Sequence, residues 1–103
     1  MIPPPEGPAT GKVTAEEVPT PDVTGTYTEG DPYAGYPTYK HDTLDWWIWF
    51  DATFDGYALS NEIGNGMDEG KAYWYCQSAP PDPNGDYAPR GTAVGDVNFA
   101  LDT

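Results

Sequence analysis

Apolar and polar side chains alternate along several short stretches of the chain, and the most apolar stretch is 44–51, with five bulky residues in succession. Successive side chains of a strand point to opposite faces. One predicted face is entirely apolar: Leu44, Trp46, Ile48 and Phe50. The other face carries Trp47 and Trp49 between two aspartates. We therefore predict a central strand with one face in the core and an aromatic outer face that contacts another segment, a ligand or a partner.

Six strands are predicted in all, because strand-favouring runs alternate with Gly, Pro and Asn turn signals about every eight to twelve residues. The predicted strands are 24–29, 36–40, 45–51, 56–60, 71–77 and 94–101. Alternation in the last two adds inward-facing residues to the core: Ala72, Trp74, Cys76, Val97, Phe99 and Leu101. No long stretch has the period of a helix. The fold class we predict is all-β, as a small antiparallel β-sandwich or a partly open barrel.

The first 22 residues differ from the rest, since they are rich in proline and contain no aromatic side chain. Proline excludes helix and favours an extended chain that can lie on a partner surface. We predict an extended N-terminal arm at 1–22 and a β-rich domain at 23–103. Ile2, Val13 and Val18 are the arm residues expected to dock on a partner. The alternative is a disordered tail.

Charge and composition limit the partners. The chain has 103 residues, enough for one small domain, and 15% of them are aromatic, so a few large rings are expected to form the core. Seventeen acidic and four basic residues give a net charge of −13, which repels nucleic acids and anionic membranes. Partners are therefore expected to bind through apolar contacts, basic surfaces or cations. The sequence has no membrane-spanning apolar run and no signal-peptide features at its start.

Residues for catalysis or metal binding are few. With one cysteine, Cys76, and one histidine, His41, the chain cannot form an intrachain disulfide, a multi-cysteine zinc site or a multi-histidine metal site. His41 is predicted to lie in a polar loop. Carboxylate pairs such as Asp51 and Asp55 arise by chance in so acidic a chain. We predict no enzymatic activity, no cofactor and no metal site.

The segment 82–86 begins with the alternating oxygen ligands of a calcium loop. Tyr87 stands where such a loop needs glycine, and Ala93 where it needs glutamate. An Asx or type I turn is therefore the simpler interpretation of the segment. Calcium held between acidic surfaces stays open as an alternative.

The aromatic outer face is the candidate binding surface. If strands 45–51 and 71–77 are neighbours, four rings lie about 5 Å apart on one side of the sheet. These rings are Trp47, Trp49, Tyr73 and Tyr75. A large exposed aromatic patch is typical of a binding site. Three alternatives stay open: burial in a second layer, cover by the arm of a neighbouring copy, and stacking on sugar rings.

Aromatic and glycine motifs recur through residues 23–100. They are VTGTY at 23–27, GYPTY at 35–39, WIWFD at 47–51, YALS at 57–60, YWY at 73–75 and GDYAPRG at 85–91. Their succession resembles a small β-rich module found in structural proteins of environmental tailed bacteriophages and, in tandem, in large proteins of some environmental bacteria. Such motifs are landmarks of a fold, so the resemblance implies architecture before activity.

The resemblance implies a non-enzymatic virion structural protein, such as a capsid decoration or cement protein or a head–tail accessory subunit. Its partners would be other virion proteins and copies of itself, and its location would be the virion, assembled in the host cytoplasm. The alternative is a carbohydrate-binding or adhesive module on a virion fibre or a cell-surface filament, using the same aromatic face.

Overall fold

The computed structural model describes residues 9–52, 55–64, 72–77 and 82–102, and these form strands and connecting loops with no helix among them. The strands are β1 (Thr10–Thr14), β2 (Gly25–Glu29), β3 (Tyr39–His41), β4 (Trp47–Asp51), β5 (Gly56–Ser60), β6 (Ala72–Cys76), β7 (Gly85–Gly91) and β8 (Val97–Leu101). Each strand pairs antiparallel with the next, and β1 pairs with β8, which closes the sheet into a barrel. The predicted all-β antiparallel class is confirmed. A closed barrel replaces the predicted sandwich or partly open barrel.

All six predicted strands are present, with ends that differ by at most three residues from the prediction. The strand at 56–60 has the predicted bounds. Strands β1 and β7 were not predicted, and a different physical reason applies to each.

Strand β1 lies inside the segment predicted to be an arm. Gly11 pairs with Tyr27 of β2 on one side and with Leu101 of β8 on the other, so residues 10–14 belong to the barrel. Val13, predicted to dock on a partner, is instead a core residue with 1% of its surface exposed. This corrects the predicted arm from residue 10 onward. Residues 1–8, including Ile2, lie outside the described residues.

Strand β7 was not predicted, because Pro89 lacks a backbone N–H and the sequence Pro-Arg-Gly at 89–91 is typical of a turn. The strand instead continues to Gly91, with Pro89 opposite Trp74 of β6. The ladder with β8 covers only 85–87. Position 89 is therefore unpaired on the β8 side, where a missing N–H costs no ladder bond.

Inward-facing side chains fill the barrel, and rings dominate them. The buried cluster is Val13, Val23, Tyr27, Tyr39, Ile48, Phe50, Tyr57, Leu59, Trp74, Cys76, Tyr87, Val97 and Phe99. Ring pairs meet mostly edge to face, such as Tyr27 with Phe99 at 6.1 Å and Phe50 with Tyr57 at 5.4 Å between centroids. Because the interior of an eight-stranded barrel is just wide enough for side chains to fill it, this packing produces a solid core.

The predicted inner face of the tryptophan-rich strand is largely correct. Ile48 and Phe50 are buried, and Trp46 is half-buried with its ring 5.8 Å from that of Trp74. Leu44 is a correction, since 42% of its surface is exposed. It precedes β4 in the loop after β3, so the alternation of the strand does not reach it.

A six-residue corner occurs twice, at 22–27 and at 82–87. In each, an aspartate Oδ1 accepts a hydrogen bond of 3.0 Å from the amide two residues on, which for Asp82 is the predicted Asx turn. In each, a glycine has a φ near 140°: +135° at Gly25 and +142° at Gly85. A buried tyrosine hydroxyl then donates to the carbonyl four residues back, Tyr27 to Val23 at 2.7 Å and Tyr87 to Pro83 at 2.6 Å.

The loops alternate between the two ends of the barrel, because neighbouring strands run in opposite directions. We call upper end the end that carries loops 15–24, 42–46 and 92–96 together with residues 61–64. The lower end carries loop 30–38 together with residues 52, 55, 77 and 82–84. One copy of the six-residue corner therefore lies at each end.

Candidate functional site

The four aromatic residues predicted to form a contact surface do share the outer side of the barrel. Register places Trp49 opposite Ala58 of β5, and Ala58 opposite Tyr75 of β6, while Ile48 and Leu59 point inward. Strand β5 therefore stands between the two aromatic strands, which were predicted to be neighbours. Residues on β4 and β6 are about 10 Å apart, twice the spacing of adjacent strands.

The centre of this aromatic wall, the outer side of β4, β5 and β6, is covered. Trp49 is 1% exposed, and Tyr33 from the lower-end loop packs edge-on against it at 5.6 Å between ring centroids. The indole Nε1 of Trp49 donates to Ser60 Oγ at 2.9 Å, and that hydroxyl donates to the Glu62 carbonyl at 2.7 Å. Tyr73 is also buried. Half of the predicted contact surface, Trp49 and Tyr73, is therefore buried and not exposed.

Trp47 and Tyr75 flank the covered centre and are half-buried. The ammonium of Lys40 lies 5.6 Å from the Trp47 ring centroid, within the range of a cation–π contact. Tyr75 lies over Gly56, since a Cβ at that glycine would be 2.5 Å from the phenol oxygen. Both rings are therefore fixed in place by neighbouring groups.

His41 ends β3 and is 7% exposed, in contrast to the predicted polar loop. Its Nδ1 accepts hydrogen bonds of 3.1 Å from the amides of Thr43 and Leu44, and its Nε2 lies 2.9 Å from the carbonyl of Thr24. Amides only donate and carbonyls only accept, so the proton is on Nε2. Both ring nitrogens are occupied, and His41 joins two loops of the upper end.

Two other reactive groups lie inside the barrel. Burial raises the pKa of the Cys76 thiol, and the nearby carboxylates Asp86 and Asp82 raise it further, while the buried position of Cys76 agrees with its predicted inward orientation. The Tyr57 hydroxyl is buried with no hydrogen-bond partner among the described residues. Burial, with Tyr39, Asp82 and Tyr36 nearby, raises the pKa of Tyr57 to about 12. In the same part of the chain, no three His, Cys, Asp or Glu side chains are placed to hold a metal ion.

Large apolar side chains are exposed mainly at the upper end. Val18 is 78% exposed, Val94 63% and Leu44 42%, and all three lie on upper-end loops. Tyr33 is the other large exposed apolar residue of the described chain, and it lies at the lower end. Only Val18 was predicted to contact a partner. The alternation that assigned Val94 to a strand and Leu44 to the core could not indicate their exposure, because both lie in loops.

A groove of about 690 Å³ runs from the upper end down the outer side of β8. Four carboxylates line it: Glu16, Glu17, Asp86 and Asp96. Asp86 Oδ1 accepts a hydrogen bond of 2.9 Å from the side-chain Nδ2 of Asn98. The groove is an acidic surface beside the exposed valines, and nothing in the sequence pattern indicated it, since its residues come from β1, β7 and β8 and their loops.

No helix of the described residues is long and apolar enough to cross a membrane. Comparisons with protein-family models, with curated proteins and with solved structures each returned no match.

Proposed function

We propose that the chain is a non-enzymatic structural protein of a phage virion, a capsid decoration or head–tail accessory subunit. The observation that supports it best is that three exposed apolar side chains, Val18, Val94 and Leu44, lie on loops of the same barrel end. Soluble monomers seldom concentrate exposed apolar side chains in one region unless that region binds something. The resemblance of residues 23–100 to a module of phage structural proteins supports the same role.

The filled barrel fits this role. Tyr39 and Phe99 rings lie 5.5 Å apart inside it, and the largest fully buried side chains are tryptophans and tyrosines. Side chains occupy the space in which larger barrels hold a ligand. Recognition therefore uses the outside of a rigid body: the upper end, and the half-buried Trp47 and Tyr75 on the aromatic wall.

The net charge of −13 shapes how copies assemble. Like-charged copies repel each other at short range, so neighbouring copies on a particle are held mainly by the surface to which each one binds. A regular lattice of binding positions on a shell supplies such a surface without requiring strong contacts between copies.

Particles of the encoding phage test this role directly. Purified virions would be analysed by mass spectrometry, and virions produced without the chain would be incubated with the purified protein and sedimented. The expected result is that the chain is present in native particles and co-sediments with depleted ones. A chain absent from native particles and unbound by depleted ones would overturn the virion role.

A variant lacking residues 1–8 tests the arm. The deletion stops before Thr10, because removing all of 1–22 would also remove β1 and its ladders with β2 and β8. Undiminished co-sedimentation of this variant would show that residues 1–8 do not attach the chain. Host glycans added to the isolated protein test the carbohydrate-binding alternative, for which a change in tryptophan fluorescence that is lost in Trp47→Ala would be the supporting result.

A further inference from the structure

We propose that the upper end carries a composite docking site for a partner segment in which lysine or arginine side chains stand next to aliphatic ones. Val18 and Val94 contact the aliphatic side chains, and the carboxylates of the adjoining groove bind the cations. The site deepens the proposed function, and it rests on that function only for the partner's identity as a virion protein.

The backbone holds the two valines outward. The amides and carbonyls of Thr20 and Val94 exchange two hydrogen bonds of 2.9 Å, which makes a short antiparallel bridge between loops 15–24 and 92–96. Pro19 is buried on the inner side, where a Cβ on Gly95 would be 3.3 Å from its Cα. Because side chains alternate along a bridge, Val18 and Val94 point away from the core.

The bridge is also fixed to the barrel. The indole Nε1 of Trp74, a fully buried residue, donates to the carbonyl of Gly95 at 2.7 Å. The exposed valines therefore belong to a framework that is anchored in the core. A surface that is ordered before binding loses little conformational entropy when a partner arrives.

The acidic groove adjoins the two exposed valines. Glu16 and Glu17 precede Val18 in the chain, and Asp96 follows Val94 by two residues, so acidic side chains border both valines. None of the basic side chains among the described residues, which are Lys12, Lys40 and Arg90, lines the groove. The charged side chains that line the groove are therefore all carboxylates.

Charge decides which occupant fits. A second copy would bring another chain of net charge −13 against an acidic groove, which is unfavourable. A segment with lysine or arginine gains attraction to the carboxylates, and arginine can also form paired hydrogen bonds with them. Aliphatic neighbours on that segment can then cover Val18 and Val94. The complementary partner is therefore both basic and apolar.

A synthetic peptide of alternating valine and arginine serves as the probe, titrated into the full-length protein and followed by methyl and amide NMR. We expect saturable shifts at the methyl groups of Val18 and Val94 and at the amides of Glu16, Glu17 and Asp96. Peptides with glutamate for arginine, or serine for valine, should bind at least about tenfold more weakly, the effect of losing one of two joint contacts.

Matched variants separate this site from general attraction to an acidic protein. Glu16→Gln with Asp96→Asn should weaken binding about tenfold, as should Val18→Ser with Val94→Ser. Asp31→Asn with Asp55→Asn makes the same change in net charge at lower-end loop positions and should change the affinity less than about twofold. Asp55 has a φ of +55°, a conformation that asparagine tolerates.

The site would be overturned by shifts spread evenly over the surface, by equal loss of affinity in both charge variants, or by unchanged affinity in the valine variant. Shifts of the Val18 and Val94 methyl groups on dilution without peptide would identify a second copy as the occupant and would also overturn it. Peptide binding by a chain that is absent from virions would refute the proposed function and leave the site standing. Attachment to virions without peptide binding would refute the site alone.

Discussion

Three tyrosines buried in the barrel differ in what their hydroxyls contact. Those of Tyr27 and Tyr87 each donate to a carbonyl four residues back, whereas that of Tyr57 has no partner among the described residues. All three side chains are fully buried. The contribution of each hydroxyl to stability therefore depends on its partner, since a buried polar group is unfavourable unless it is hydrogen-bonded.

Replacing each tyrosine by phenylalanine tests this difference. Tyr27→Phe and Tyr87→Phe should each lower the free energy of unfolding by about 1–2 kcal/mol, because a buried carbonyl loses its donor. Tyr57→Phe should leave it unchanged or raise it by up to about 1 kcal/mol. Urea unfolding followed by tryptophan fluorescence measures all three variants. Equal destabilisation by Tyr57→Phe would mean that its hydroxyl has a partner.

Alkaline pH should destabilise the fold through the same residues. Burial, and then the neighbouring Tyr39, Asp82 and Tyr36, raises the pKa of Tyr57 to about 12 in the folded chain, against about 10 in the unfolded chain. The unfolded state therefore releases this proton first. The contribution of protonated Tyr57 to the free energy of unfolding is therefore fully present below about pH 10 and is lost as the pH rises towards 12.

We expect the free energy of unfolding to fall by roughly 1–3 kcal/mol per such tyrosine over this interval. Burial also raises the pKa of Tyr27 and of Tyr87, so several groups contribute. Urea midpoints measured across the interval, together with phenolate absorbance, check the effect. The fall should be smaller in Tyr57→Phe, and an identical pH dependence in that variant would contradict the assignment.

At the scale of elements, β1 completes the ring, and its two edges pair with strands at very different distances in sequence. It pairs with β2, its neighbour in sequence, and with β8 at the other end of the described chain. Gly11 fits there because a Cβ would come within 2.6 Å of the Phe99 ring. A residue that weakens an isolated strand thus lets a core ring approach the backbone.

Two valines from the predicted arm give a paired test of β1. Val13→Ala should lower the free energy of unfolding by about 2 kcal/mol, since it leaves a cavity in the core. Val18→Ala, at an exposed loop position, should change it by less than about 0.5 kcal/mol. Thermal and urea unfolding measure both. Equally small effects would argue against β1 as a barrel strand.

The covered aromatic wall gives a second element-scale prediction. Gly56→Ala would place a Cβ 2.5 Å from the Tyr75 hydroxyl and 2.8 Å from the Cys76 carbonyl, so we expect a loss of about 1–3 kcal/mol in the free energy of unfolding. Gly30→Ala is the control, because its nearest neighbour would be 3.6 Å away. That substitution should be neutral within about 1 kcal/mol. Similar values for both would contradict the contact between Tyr75 and Gly56.

The sequence alone predicted the strands whose own residues show a clear alternation of apolar and polar side chains or a clear turn. Strand β5 was predicted with its bounds because a turn precedes an apolar run, and the inward rows of β4, β6 and β8 follow from alternation. Strand β1 has a single aliphatic residue, Val13, and its identity depends on partners far away in sequence. The position of Pro89 in β7 likewise depends on where the β8 ladder ends.

The candidate site was less predictable for the same reason. Alternation correctly placed Trp47, Trp49, Tyr73 and Tyr75 on one side, but whether a ring is exposed depends on the loops that cover it. Tyr33 covers Trp49 from a loop whose path alternation does not describe. The groove and the exposed valines come from loops brought together by barrel closure, and no local pattern encodes that proximity.

At the scale of the whole molecule, the large negative net charge affects the stability of the fold. Seventeen acidic residues exceed the four basic ones, and the resulting net charge of −13 makes the carboxylates repel one another more in the compact state than in the expanded one. Raising sodium chloride from about 0.01 M to about 0.15 M shortens the Debye length from about 30 Å to about 8 Å. We expect the free energy of unfolding to rise by roughly 1 kcal/mol as this repulsion is screened.

Urea midpoints at the two salt concentrations measure the effect of screening. Asp31→Asn with Asp55→Asn, at exposed positions away from the groove, should reduce the salt dependence, because fewer charges remain to be screened. A midpoint that does not change with salt, or one that falls, would contradict net repulsion as a destabilising force in this barrel.

Closure of the ring by β1 and β8 also bears on how the protein is made. Of the eight strands, β1 leaves the ribosome first and β8 last, yet Gly11 must pair with Leu101. One side of β1 therefore waits without its partner throughout synthesis of the other strands. Folding that depends on such distant pairs is slow, on the order of milliseconds to seconds. A nascent chain with an exposed strand edge can pair wrongly with another chain. The acidic charge that destabilises the folded barrel therefore favours correct folding during synthesis, because it keeps incomplete chains apart.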